Sequence, residues 1–117
     1  MAYKIIDRET LKSKIDAKGR KLQLWNVLPR AYFRTEENIP GSKWIPVDML
    51  EDMVDSVNVK KGDEIIIYCA GSDCASSKKA ADILAEKGFT NLLLYEGGLK
   101  AWKDGSLPLE KLVPSHL

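Results

Sequence analysis

The sequence predicts an open parallel α/β sheet of five strands with helices on both faces. Strand-like and helix-like periods alternate along the chain with short connections between them. One segment, residues 64–69 (Glu-Ile-Ile-Ile-Tyr-Cys), is an unbroken β-branched run of the kind that needs cover on both faces, which places it at the centre of the sheet. The length of 117 residues suits one core, burying roughly two-thirds of the unfolded surface.

The elements follow in order. Residues 3–6 read as a short strand, and Asp7 then caps a helix that carries Leu11 and Ile15 four apart and stops at Gly19. Residues 22–27 form an apolar-rich strand closed by Pro29. Leu50, Met53, Val54 and Val57 fall at i, i+3, i+4 and i+7 behind Asp48, with Glu51 three residues on. That capping-box-like start predicts an amphipathic helix, the clearest in the chain. Lys61-Gly62-Asp63 turns the chain into the 64–69 run. Residues 77–87 carry Ala80, Ile83 and Leu84 on one helical face and end at Gly88. A short strand at 91–95 follows, then Gly97-Gly98 and a helix bearing Trp102. With no repeat, low-complexity tract or linker, residues 1–117 read as a single domain, with a core over about residues 3–108 and a tail over 109–117.

Charge names no partner. Lys and Arg number 18 against 17 Asp and Glu, and a net charge of +1 gives no footprint for nucleic acid or an anionic membrane. No apolar run approaches the roughly 18 residues of a membrane span, and the first residues lack the pattern of a secretory signal, so a cytoplasmic protein is expected. The single histidine, His116, lies in the tail, which argues against Cys-His and Ser-His pairs and most zinc sites. Neither metal nor cofactor is expected. The two cysteines, Cys69 and Cys74, are too few for a disulfide framework, and in a reducing compartment free thiols are expected.

In open α/β sheets ligands gather beyond the carboxyl ends of the strands, and Cys69 stands there. The segment Cys69-Ala70-Gly71-Ser72-Asp73-Cys74-Ala75-Ser76-Ser77 is built of small residues and runs into a helix. Such a loop can turn its amides inward, and the helix adds its partial positive end, an environment that favours a thiolate. The bland alternative is a small buried cysteine at a strand end. Lys78 and Lys79 in the first helical turn oppose the helix dipole unless an anion or water offsets them. Trp25, Trp44 and Trp102 read as core, with Trp44 placed to border the site. Arg30 and Arg34 start near the same sheet edge as Cys69, and Gly97-Gly98 allows close approach of backbone to the loop.

Taken in order, Asn38-Ile-Pro-Gly41 with Ile45-Pro46, Ile67-Tyr68-Cys69, Ala80-Ala81 with Leu84, and Gly97-Gly98 ahead of Trp102 resemble a single rhodanese-like domain over nearly the whole chain. The resemblance implies that Cys69 accepts a sulfane sulfur as a persulfide and passes it to a thiol or other nucleophile. It implies a substrate-binding loop of Ala70, Gly71, Ser72, Asp73, Ala75, Ser76 and Ser77, with Lys78 beside it. The donor is then a small sulfur compound or a protein persulfide. The departures are also informative. The family loop arginine is missing, with Ser76 near its place, and the loop is about two residues longer. Asn26 and Leu28 replace an aspartate and an arginine, and Asn38 replaces a histidine. The pattern resembles a divergent subgroup with a Cys-x4-Cys loop. Cys74 then has three readings: a thiol that resolves Cys69 through a disulfide, the nucleophile itself, or an incidental small residue. A thiol redox enzyme using both cysteines and a non-catalytic binding module are the competing functions.

Overall fold

The computed structural model describes residues 3–112. Five parallel strands form one sheet in the order β1-β5-β4-β2-β3: β1 (Lys4–Ile6), β2 (Leu24–Asn26), β3 (Lys43–Trp44), β4 (Ile65–Tyr68) and β5 (Leu92–Tyr95). β4 is central, as the isoleucine run predicts. It pairs Ile66 with Leu24 on one side and with Leu93 on the other. All four β4 residues are buried, and each large apolar side chain taken from water contributes about 1.5–3 kcal/mol.

Four helices accompany the strands: α1 (Arg8–Lys18), α2 (Leu50–Met53), α3 (Ser76–Glu86) and α4 (Gly98–Asp104). Asp7 caps α1 by accepting the Thr10 N–H at 2.8 Å, and Gly19 ends it at φ 56°. α3 packs against α2, β4 and β5. The Arg8 guanidinium at the start of α1 donates to the Ala101 carbonyl of α4 at 2.9 Å, tying those two helices together. Trp25 and Trp102, 0% and 1% exposed, anchor the core, and Leu50, Ala80, Ala81 and Leu84 complete it from the helical side.

One expectation is corrected. The helix predicted from Leu50, Met53, Val54 and Val57 is one α-helical turn, Leu50–Met53, between 3-10 turns at Val47–Met49 and Val54–Ser56. Asp48 lies inside the first 3-10 turn and caps nothing; Met49 takes the cap position without a side-chain hydrogen bond. The apolar positions face inward as the spacing requires, with Leu50 and Val54 buried, but spacings of three and four are met by mixed helical turns as readily as by a regular helix. Residues 109–112, the described part of the predicted tail, contact the rest of the chain. Glu110 exchanges backbone hydrogen bonds with Asn38, and its carboxylate takes a two-pronged grip from Arg20 at 2.6 and 3.1 Å. That grip holds the Glu110 carboxyl below its ordinary pKa. His116 lies outside the described residues.

Candidate active site

The sheet's carboxyl edge is assembled by polar side chains buried among apolar ones. The Asn26 side-chain amide donates to the Asn38 side-chain carbonyl at 2.9 Å, and the Asn26 side-chain oxygen (Oδ1) accepts the Leu28 N–H at 3.0 Å. The Asn38 amide turns to the Arg34 and Thr35 carbonyls. Asn26 and Asn38 thus fix the path of the chain leaving β2. Tyr68, the last residue of β4, accepts the Ile39 N–H at 3.2 Å and lies 2.6 Å from the Ser42 hydroxyl oxygen. Because the Ser42 hydroxyl donates to the Ile39 carbonyl, the phenol proton points to Ser42. Burial pushes the Tyr68 phenol well above its ordinary pKa, so it remains a neutral clamp.

Cys69 follows directly and is 1% exposed. Its carbonyl accepts the Leu99 N–H at 3.0 Å, and the Ala70 carbonyl accepts the Lys100 N–H at 2.8 Å, so the first turn of α4 grips the loop by its backbone. The approach depends on Gly98, whose φ is +60° and where a Cβ would stand 2.7 Å from the Gly71 nitrogen and 2.8 Å from the Ala70 carbonyl carbon. The close approach read from Gly97-Gly98 is therefore present. The loop then turns through the Cys74 N–H bonded to the Gly71 carbonyl at 3.0 Å, and α3 begins at Ser76 without a side-chain cap.

Cys69 and Cys74 are joined as a disulfide, with their Cα atoms 6.4 Å apart. This corrects the expectation of free thiols. The small residues between them let the loop fold back into the separation a disulfide needs. The buried Ser77 hydroxyl lies 3.5 Å from the Cys69 sulfur.

Above the loop lies a cavity of about 880 Å³. One wall is Ala70, Gly71, Ser72, Asp73, Cys74, Ala75 and Ser76. Cys69, Ser77 and Lys78 do not line it, and Cys69 is buried behind the wall that Ala70 to Ser76 form. Ser77 lies beneath the loop, and the Lys78 ammonium turns to Glu96 at 3.7 Å, the anion that offsets its position in the first turn of α3. The opposite wall, residues 28–29 and 31–34, includes Tyr32 and Phe33, which sequence reasoning missed. Its signal was the aromatic pair just past Pro29 at a strand's carboxyl end. Phe33 stacks on Trp44 at 4.0 Å and 14°, and the Trp44 indole N–H donates to the Leu28 carbonyl at 2.8 Å, so Trp44 supports the wall from behind. Arg30 lies over the Trp44 ring at 5.9 Å. The cations lining the cavity are Arg34 and Lys100, neither from the cysteine loop.

Residues 7–105 match the family described as the rhodanese-like domain, and the chain belongs to that family. It is 30% identical to a rhodanese-like domain protein of Staphylococcus aureus, with 92% of this chain and 99% of that one aligned at a TM-score of 0.72. A protein of Anabaena gives 27% identity over 92% and 81% of the two chains at 0.77. Thiosulfate sulfurtransferase YnjE of Escherichia coli is 29% identical over 97 residues, 80% of this chain. The chain spans only 22% of that relative and 28% of a second curated relative, from Synechococcus elongatus. No helix among the described residues is long and apolar enough to cross a membrane.

Proposed function

We propose that the protein is a sulfurtransferase or persulfide carrier in which Cys69 accepts a sulfane sulfur and hands it to a thiol or other nucleophile. The observation that carries this reading is the position of Cys69, at the end of the central strand beneath a small-residue loop that forms one wall of the cavity. A donor enters between residues 70–76 and the Tyr32-Phe33 wall. Attack by the Cys69 thiolate on the donor's outer sulfur forms Cys69–S–SH and expels the rest of the donor as its thiolate. The Ser77 hydroxyl and the amino-terminal end of α3 stabilise the thiolate from below. The sulfur donor is a small compound or a protein persulfide, neither nucleic acid nor membrane takes part, and the reaction belongs in the cytoplasm.

The disulfide favours a second reading, a dithiol oxidoreductase that exchanges electrons through Cys69 and Cys74 without carrying sulfur. Transfer from an organic persulfide to a thiol acceptor separates the two. Sulfur transfer predicts turnover that Cys69→Ser abolishes and Cys74→Ser retains, whereas loss of turnover in both variants, with dithiol exchange intact in the wild type, supports the redox reading.

A further inference from the structure

The two cysteines differ in access. Cys69 is almost fully buried, whereas Cys74 is partly exposed and forms part of the cavity wall. Backbone hydrogen bonds hold both ends of the loop between them, and the two sulfurs are bonded. A sulfur added to Cys69 therefore has the Cys74 thiol as a neighbour within its own loop, and an intramolecular attack needs no second molecule to arrive.

Resting on the Cys69 reading above, we propose that Cys74 resolves the Cys69 persulfide, which makes the chain a persulfide reductase that releases hydrosulfide and is regenerated by a dithiol. The Cys74 thiolate attacks the Cys69 sulfur, and a Cys69–Cys74 bond forms as the bond from Cys69 to the outer sulfur breaks. The electron pair leaves with the outer sulfur as HS⁻, so Cys69–S–SH and Cys74–S⁻ become the disulfide and hydrosulfide. The sulfane sulfur is reduced and the two protein sulfurs are oxidised. The bond this step forms is the Cys69–Cys74 bond present in the structure. Regeneration starts at the accessible end: one thiolate of an external dithiol attacks Cys74, and Cys69 leaves as a thiolate beside the Ser77 hydroxyl, 3.5 Å away. The second thiol of the reductant then displaces Cys74, restoring both protein thiols and leaving the reductant as a disulfide.

The test loads fully reduced protein, freed of reductant and kept without oxygen, with one equivalent of cysteine persulfide. Free hydrosulfide and intact mass are then measured. The expected result for the wild type is one hydrosulfide per chain and a mass lower by two hydrogens, with a second load inert until dithiothreitol is added. Cys74→Ser, or Cys74→Ala should serine disturb folding, retains one extra sulfur on Cys69 and releases none as hydrosulfide. A wild-type chain that holds the extra sulfur on Cys69 with Cys74 still a free thiol overturns the inference while leaving the sulfurtransferase reading intact. Failure of both Cys74 variants to take up sulfur overturns Cys69 as the acceptor, and the inference falls with it.

Discussion

At Gly98 the backbone takes φ +60° within contact range of the loop that holds both cysteines. An alanine there meets the left-handed penalty of about 1–2 kcal/mol and displaces the Ala70–Gly71 peptide as well. Gly98→Ala is therefore expected to lower the unfolding free energy by at least about 1 kcal/mol in urea titration and to cost sulfur transfer more than a surface substitution of equal destabilisation. Unchanged stability with unchanged transfer contradicts the grip of α4 on the loop. Tyr68 is a second point of control. Its phenol is neutral and doubly hydrogen-bonded in the folded state, with a pKa raised by burial above the ordinary value of 10.0. A raised phenol pKa stabilises the fold fully below the unfolded value and loses that contribution as pH climbs from about 10 toward the folded value. Stability measured at alkaline pH should fall in that window, and Tyr95, whose phenol burial also raises, adds to the same slope. Tyr68→Phe should reduce the slope while costing about 1–3 kcal/mol at neutral pH, because the Ile39 N–H and Ser42 hydroxyl lose their buried partner.

Among the elements, the segment from Val47 to Ser56 combines one α-helical turn with two 3-10 turns, and so short a helix has little stability of its own. Hydrogen exchange should find amides 47–56 exchanging at least about tenfold faster than those in the middle of α3, which has eleven residues and packs on β4 and β5. Equal protection in the two segments contradicts that ranking. The same segment marks the limit of what the sequence reveals. Ile65-Ile66-Ile67 identified the central strand because continuous β-branched burial has few other solutions, and Asp7 marked its helix start because its carboxylate caps within three residues. The 47–56 segment gave an inward-facing stripe but no helix type, since 3-10 and α turns share it. β3 is two residues long, Lys43 and Trp44, too short for alternation to show. At the site, local composition located the cysteine loop, but the Tyr32-Phe33 wall and Lys100 arrive through tertiary packing of separate segments, which no local pattern encodes.

At the scale of the molecule, the cavity combines about 880 Å³ with two cations supplied from outside the cysteine loop, Arg34 and Lys100, the latter shared with Asp104 at 3.1 Å. A compact dianion such as thiosulfate gains from a forked, charge-assisted grip close to the nucleophile, and each such bond contributes about 1.5–3 kcal/mol. With Ser76 in the wall near the family's arginine position, thiosulfate is expected to be a donor weaker by about tenfold or more than an organic persulfide in steady-state assays. Ser76→Arg should raise thiosulfate turnover, and wild-type turnover on thiosulfate equal to that on the organic persulfide contradicts the expectation. The proposed chemistry depends on a sulfur carried on Cys69, the residue that follows β4. The most direct measurement is peptide-level mass spectrometry of Cys74→Ser protein after reaction with an organic persulfide under gentle, non-reducing handling. The expected result is one additional sulfur on the peptide containing Cys69 and its loss when a thiol acceptor is added. An unmodified Cys69 peptide, in folded protein across organic persulfide donors, contradicts it.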